Sequence, residues 1–245
     1  MKALLIIVCF IIASLSFISK KTTKESKNTY SSFALLELYT SEGCSSCPSA
    51  DVLLPQLAAI DSNIITLSFH VDYWDRLGWT DKFSNAEFTE RQRQYGDYLR
   101  LESVYTPQLI INGQYELVGS DRSTAQADIR TALKGKAFVQ LEFNEVKKIN
   151  DKLKIDCHAT GDLKNQNIFL AIIQKHAETN VKAGENSGRK LSHTNIVRSL
   201  MKKTAQQKID FDIDFPKDLA DNNWSVILFS QDKNDLKITG VAKYQ

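Results

Sequence analysis

The sequence is poor in glycine, proline and cysteine, and it has almost no excess of charge of either sign. With ten Gly and four Pro in 245 residues, it is neither collagen-like nor of low complexity. It has 31 basic and 29 acidic residues, a net charge of +2, and so lacks the basic surplus typical of nucleic-acid binding. Hydrophobic residues make up 42% of the chain, which is typical of a soluble globular protein and too high for a disordered one.

The N-terminus has the features of a secretory signal. Met1 and Lys2 are followed by an apolar run over residues 3–18 and then by the polar segment KKTTKESKN. This pattern predicts a signal peptide over residues 1–19 and a polar tether over residues 20–32. The alternative is an uncleaved signal that tethers the protein to a membrane. In both cases we expect the rest of the chain to be periplasmic or secreted, where disulfides persist.

Three cysteines remain once the signal is removed, too few for a disulfide framework in a chain of this size. Cys44 and Cys47 are close enough in sequence to form a local pair, which leaves Cys157. Cys157 shares an alternating strand face with Leu153 and Ile155, so we expect it to be a small buried hydrophobic residue rather than a third redox group.

The first half of the chain alternates between strand and helix patterns. Apolar runs predict buried strands, and apolar residues at helical spacing predict the helices between them. The signals, in order, are strand Phe33–Tyr39, a helix over VLLPQLAAI, strand Asn63–Val71, a helix capped by Ser84 and Glu87 that runs to about Arg100, a hairpin at Asn112–Gly113 and a helix from about Ser123 to Leu133.

From residue 136 onward the period changes to strict alternation, and at least six strands are predicted. We therefore expect two domains, an α/β domain over residues 33–135 and an all-β antiparallel sandwich-like domain over residues 136–245. One long connection in the second domain, Lys175–Thr204, is predicted to be irregular and either functional or docked against another element.

The strongest chemical signal is Cys44-Ser45-Ser46-Cys47-Pro48, which follows a buried strand and opens a helix. Four residues at a helix start bring two sulfurs within bonding distance. The helix dipole and free backbone N–H groups stabilise a thiolate on the first cysteine. Cys44 is therefore the candidate nucleophile, and Cys47 is the candidate resolving thiol.

Thr106-Pro107 directly precedes a predicted strand, and X-Pro bonds are the ones that adopt the cis form at low cost. With the cysteine pair, this arrangement resembles the thioredoxin superfamily. The resemblance implies that Pro107 is a cis-proline facing the cysteines and that the backbone of Thr106 pairs with a substrate chain. It also implies that Glu37 is a buried acid that shuttles a proton to the resolving cysteine.

Four longer motifs resemble a narrower family, the secreted thioredoxin-like family called domain of unknown function 1223. These motifs are ELYTSEGCSSCPSAD, FHVDYWDRLGWTD, YTPQLIING and GENSGRKLSHTNIVRSL. The resemblance covers nearly the whole mature chain and implies a thioredoxin-like first domain. It implies no activity, because none is established for the family.

Polar and aromatic residues cluster where the second strand ends, at the sheet edge that is predicted to neighbour the cysteines. His70 is either a proton carrier beside Cys44 or a buried core histidine. Trp74, Trp79 and, in its functional role, His70 are predicted to contact substrate. Glu42 places a negative charge near Cys44, which raises the pKa of a thiol, so we expect a moderately reactive Cys44.

The segment Gly184–Arg198 concentrates polar residues in one connection. It is predicted to be a hydrogen-bonded bolt between the two domains. The alternative is a binding site for an anionic or peptide ligand.

These residues predict a thiol–disulfide oxidoreductase that acts on protein or small-molecule thiols and disulfides with an unidentified redox partner and no cofactor. A binding module that holds copper or a protein partner at the cysteine pair, with His70 as a further metal ligand, is the alternative. A cell-surface interaction protein with a permanently oxidised pair is a third possibility. A structural zinc site is disfavoured because the sequence has no second CxxC or CxxH pair.

Overall fold

A computed structural model describes residues 27–29 and 31–244. The predicted signal peptide, residues 1–19, lies outside the described residues, as does most of the predicted tether. Within the described part of the chain, no helix combines the length and the apolar character needed to cross a membrane.

The described residues form twelve strands, three α-helices and one short 3₁₀ helix. The helices are α1 Cys47–Ala58, α2 Ala86–Leu99 and α3 Arg122–Ala132, with the 3₁₀ turn at Asp75–Leu77. The strands are β1 Lys27–Thr29, β2 Ala34–Thr40, β3 Ile64–His70, β4 Gln108–Ile111, β5 Tyr115–Val118, β6 Val139–Ile149, β7 Lys152–Gly161, β8 Gln166–Asn180, β9 Lys190–Thr204, β10 Lys208–Asp214, β11 Trp224–Asp232 and β12 Ile238–Tyr244.

Two sheets organise these strands. The large sheet has nine strands in the order β1-β12-β11-β8-β9-β3-β2-β4-β5, and the small sheet has three in the order β10-β7-β6. In the large sheet, β3 runs parallel to both β2 and β9, and all other neighbours are antiparallel.

The predicted fold class, a thioredoxin-like α/β domain followed by a separate all-β sandwich, is wrong. The protein is mostly β, and strands from both sides of residue 136 belong to one continuous mixed sheet. The junction is the parallel pair β3 and β9, where Ser68 is aligned with Ile196. Hydrophobic periodicity identifies strands but not their neighbours, and β9 covers the backbone groups that β3 would otherwise expose as an edge strand. A domain boundary near residue 136 stays a prediction.

The connection Lys175–Thr204 is not the irregular segment that the sequence predicts. Most of it belongs to β8 and β9, which form a long antiparallel hairpin. The turn between these strands, residues 181–189, lies at the tip of the hairpin. Because β9 is the strand that pairs with β3, this tip reaches the end of β2, where the cysteine pair lies.

Alternate residues of β2 face opposite layers, as the pleat of a strand requires. Leu36 and Leu38 belong to the core cluster that α1 and α3 cover. Leu35 and Tyr39 belong to a second cluster on the other face, together with Phe88 and other residues of α2. A third cluster fills the space between the small sheet and strands β8, β11 and β12. The sheet therefore separates α1 from α2.

Candidate redox site

Cys44 and Cys47 form a disulfide in the loop between β2 and α1. Their Cα atoms are 5.4 Å apart, and Cys47 is the first residue of α1, followed by Pro48 in the first turn. Proline is favoured in the first helical turn because its missing N–H would have no intrahelical partner. Ser46 makes no side-chain cap, so the positive end of the α1 dipole faces the sulfur pair directly.

The residues expected opposite the cysteines lie there. The Thr106–Pro107 peptide bond is cis, and Pro107 immediately precedes β4. The carbonyl oxygen of Thr106 is 3.7 Å from the Sγ atom of Cys44. This short distance places the Thr106–Pro107 backbone against the sulfur that the sequence predicts to be the nucleophile.

Both sulfurs are covered, although the sequence predicts a reachable Cys44. Cys44 and Cys47 are each 0% exposed, whereas Ser45 and Ser46 between them are exposed. A substrate therefore cannot touch Cys44 until the residues around it move.

Two tryptophans predicted to contact substrate form part of this cover, and both are half-buried. The indole N–H of Trp74 donates to Thr106 Oγ1 at 2.8 Å, and that of Trp79 donates to Glu42 Oε2 at 2.8 Å. Gly43 permits the approach of Trp74, because a Cβ atom at that position would lie 3.1 Å from the Trp74 Cβ. In this conformation both tryptophans thus form hydrogen bonds within the chain.

The tip of the β8–β9 hairpin supplies the rest of the cover. The Asn186 side chain is fully buried and donates to the carbonyl oxygens of Glu42 and Cys44, at 2.9 and 2.8 Å. The carboxylate of Glu185 accepts a hydrogen bond from the backbone N–H of Ser45 at 3.1 Å, and these contacts with Ser45 lower the pKa of Glu185. The polar tip thus makes several hydrogen bonds to the disulfide loop. That it is a bolt between two domains stays a prediction.

Glu37 does not face the cysteines. Its carboxylate accepts hydrogen bonds from Arg91 Nε and Nη2 at 2.7 and 2.9 Å, and from the hydroxyls of Tyr95 and Tyr39 at 2.7 and 3.1 Å. It shares a side of β2 with Leu35 and Tyr39, opposite to the side covered by α1. The sheet therefore lies between Glu37 and Cys47, and the proton shuttle that the resemblance implies for Glu37 is not supported by its position.

His70 is completely buried and makes no contact with the sulfurs among its described partners. Its Nδ1 atom is 2.6 Å from Asp81 Oδ2, and its ring packs against Phe83 and His193. The neighbouring charge of His70 is a main reason why the pKa of Asp81 is lowered despite burial, which raises it. Of the two interpretations offered by the sequence, this environment fits the buried core histidine.

Asp51 is the site residue that the sequence interpretation missed. It lies four residues after Cys47 on α1 and is 7% exposed, with Oδ1 accepting from Thr40 Oγ1 at 3.1 Å. His193, from β9, lies 3.3 Å from Asp51 and 3.6 Å from Glu42. A carboxylate one turn after the second cysteine was the available signal, since residues four apart share a helix face.

Cys157 takes no part in this site. It is a buried free cysteine whose Sγ is 3.2 Å from the Ile209 carbonyl oxygen, and burial raises its pKa to about 12. Among the described residues, no group of three or more His, Cys, Asp or Glu side chains is arranged to hold a metal ion.

Residues 35–231 match the family described as protein of unknown function DUF1223, and the chain belongs to that family. A crystal structure of protein AGR_C_4864 from Agrobacterium tumefaciens is similar, with 26% identity and a TM-score of 0.66 over 89% of this chain and 96% of that one. HBP35 of Porphyromonas gingivalis shares the fold at 11% identity and a TM-score of 0.62, over 87% of this chain and 75% of that one. No match was found among curated proteins. The wider thioredoxin relationship is not confirmed.

Proposed function

We propose that this member of the DUF1223 family is a thiol–disulfide oxidoreductase of the periplasm or the extracellular space. The observation that supports this most directly is the position of the Cys44 sulfur. It lies at the start of α1 and 3.7 Å from the Thr106 carbonyl oxygen. A disulfide at a helix N-terminus suits exchange chemistry because the helix dipole stabilises the thiolate that forms when the bond opens.

The exchange step balances without a cofactor. A substrate thiolate attacks the Sγ of Cys44 and forms a mixed disulfide with it. The bond between the two protein sulfurs breaks, and its electron pair leaves on Cys47 as a thiolate. A second substrate thiolate then releases the first substrate as a disulfide and leaves both cysteines reduced. Run in reverse, the same steps oxidise the protein and reduce a substrate disulfide.

The proposal requires the cover to open before each exchange, because Cys44 is fully buried in the oxidised protein. The contacts that must separate are the Asn186 and Glu185 bonds to the disulfide loop and the packing of Trp74. Such gating makes the pair slow towards small thiols. It also favours a substrate that binds the exposed Ser45–Ser46 surface and displaces the hairpin tip.

An insulin-reduction assay and a scrambled-protein refolding assay test the proposal. Wild-type protein should accelerate one or both, and Cys44→Ala should reduce the rate to background because the attacked sulfur is absent. Cys47→Ser should retain substrate as a mixed disulfide on Cys44, detectable by mass spectrometry. Cys157→Ala is the matched control and should retain full activity. Activity that survives Cys44→Ala would end the proposal.

The complete burial of the pair favours one second candidate, an interaction protein in which the disulfide never turns over. In that case the pair stays oxidised in glutathione buffers that reduce exchange-active disulfides, and the assays above show no wild-type activity. A copper-binding module with His70 stays a prediction without such support, because the described contacts of the His70 ring are with Asp81, Phe83 and His193.

A further inference from the structure

A buried cluster of five titratable side chains lies on the inner side of the disulfide loop. Its members come from the loop itself, α1, β3, the loop after β3, and β9. They are Glu42, Asp51, His70, Asp81 and His193, and none is more than 7% exposed. Buried charges are costly unless they are paired, so a cluster of this size beside a reactive group is a candidate functional feature.

His193 is the centre of the cluster. Its Nδ1 atom faces Asp51 Oδ2 at 3.3 Å, its Nε2 atom faces Glu42 Oε1 at 3.6 Å, and its ring packs edge-on against His70 with 4.8 Å between the ring centroids. Among the described residues, neither ring nitrogen of His193 nor Glu42 Oε1 makes a hydrogen bond. The imidazole can therefore gain or lose a proton without breaking a hydrogen bond.

The surroundings of His193 favour its charged form. Burial by itself lowers the pKa of His193, but the nearby carboxylates of Asp51 and Glu42 outweigh burial and raise it to about 9. The third carboxylate of the cluster, that of Asp81, is paired with His70 rather than with His193. The guanidinium of Arg189 bonds to Asn186 instead of to the carboxylates. We therefore expect an imidazolium at neutral pH, held between the side chains of Asp51 and Glu42.

Asp51 is the member of the cluster that shares helix α1 with the disulfide. Cys47 and Asp51 are four residues apart on α1, a spacing that places their Cβ atoms about 5–6 Å apart on one helix face. Both side chains are buried, and Asp51 is oriented by Thr40 on one oxygen and by His193 on the other. Cys47 and Asp51, both on α1, lie on the side of the sheet opposite to Glu37.

We propose that Asp51 exchanges a proton with the sulfur of Cys47, and that His193 is the positioning residue that supplies this proton and takes it back. The inference rests on the proposed exchange function. When a substrate thiolate attacks Cys44, Cys47 leaves as a buried thiolate. A proton passes from the His193 imidazolium through the Asp51 carboxylate to this sulfur, which gives a neutral thiol and a neutral imidazole. Reoxidation returns the proton to His193 along the same path.

The thiol pKa of Cys47 tests the inference without any substrate. In a Cys44→Ala background, the rate of Cys47 alkylation is measured against pH by peptide mass spectrometry. His193→Gln removes the positive charge and should raise the pKa of Cys47 by one unit or more, a tenfold loss of thiolate at neutral pH. Asp51→Asn removes a negative charge and should lower it. Shifts of opposite sign are not expected from a purely structural role.

Glu37→Met combined with Arg91→Met is the control, since it removes a buried ion pair on the other side of the sheet without leaving an unpaired charge, and it should leave the pKa of Cys47 unchanged. The inference fails if His193→Gln and Asp51→Asn have no effect or shift the pKa in the same direction, or if this double variant produces the shift. Insulin reduction by the wild type together with such a result would overturn the proton path alone. Absent wild-type activity would overturn the proposed function instead.

A measurement on the wild type covers the case in which these variants do not fold. Histidine NMR titrations of the oxidised and reduced protein should give different pKa values for His193, because its proton is shared with Cys47 only when the disulfide is open. Exposed His176 serves as the internal control and should titrate identically in both forms. Identical titrations of His193 in the two forms would contradict the inference.

Discussion

At the scale of single residues, Glu37 has a structural role on the α2 face of β2. Glu37 is buried against α2 and forms a two-pronged ion pair with Arg91, which also donates to Tyr95 and Gln231. Glu37 thus joins β2 to α2, and Arg91 extends the network to Gln231 of β11. Arg91 in turn carries a raised pKa, because the attraction of Glu37 outweighs burial, which lowers it.

Breaking this pair should be costly because the remaining carboxylate stays buried without its counter-charge. We expect Arg91→Met to lower the free energy of unfolding by about 3–5 kcal/mol, measured by urea denaturation. The double variant Glu37→Met with Arg91→Met should recover most of that loss, since it leaves no buried charge behind. A loss below about 1 kcal/mol in the single variant would contradict the structural role given to this pair.

At the scale of elements, the tip of the β8–β9 hairpin covers a loop that is distant in sequence. In addition to backbone pairing, hydrogen bonds that involve side chains join β9 to β3. Asn195 Nδ2 donates to Thr66 Oγ1 at 2.7 Å, and Ser68 Oγ donates to the Thr194 carbonyl at 2.9 Å. These contacts hold the base of the hairpin, so that its tip, with Asn186, lies on the disulfide loop.

Asn186→Ala should therefore make the disulfide easier to reach. Loss of its two hydrogen bonds to the loop weakens the closed form by about 1–2 kcal/mol, which corresponds to an increase of about 5- to 30-fold in the open population. The rate of reduction by dithiothreitol should rise by the same factor. Ser187→Ala is the control, because the Ser187 hydroxyl donates to the Lys182 carbonyl within the tip and not to the disulfide loop. Equal rates in the two variants would show that the tip does not gate the pair.

At the scale of the whole molecule, the continuous sheet makes the two halves of the sequence structurally interdependent. The parallel pair β3 and β9 joins them in the sheet, and two hydrogen bonds between α2 and Gln231 join them in the core. A unit built in this way is expected to unfold in a single step, since neither half retains a complete sheet without the other.

Tryptophan fluorescence tests this expectation, because Trp74 and Trp79 lie in the first half and Trp224 in the second. In Trp224→Phe, and in the double variant Trp74→Phe with Trp79→Phe, the fluorescence transition in urea should coincide with the circular-dichroism transition. Comparison within each variant removes any effect of the substitution on stability itself. Two separated midpoints would instead show two independently folding domains divided near residue 136.

Local signals in the sequence predicted local features well. The Asn112–Gly113 turn forms with positive φ at both residues, and the cysteine pair opens α1 as expected. Helix α2 ends at Leu99, close to the predicted Arg100, but its N-cap is Asn85. Ser84 does not cap the helix because its hydroxyl donates to Asp75. Even this small difference arises from a contact outside the helix.

The sequence alone determined what depends on near neighbours: which segments extend or coil, where the chain turns, and that two sulfurs meet at a helix start. Tertiary structure decided what depends on distant residues, including the pairing of β9 with β3, the burial of Cys44 and the meeting of His193 with Asp51. The physical reason is that backbone propensity acts over a few residues. Sheet neighbours and buried charge pairs instead depend on the free energy of the whole packed chain. A short sequence pattern does not determine that free energy.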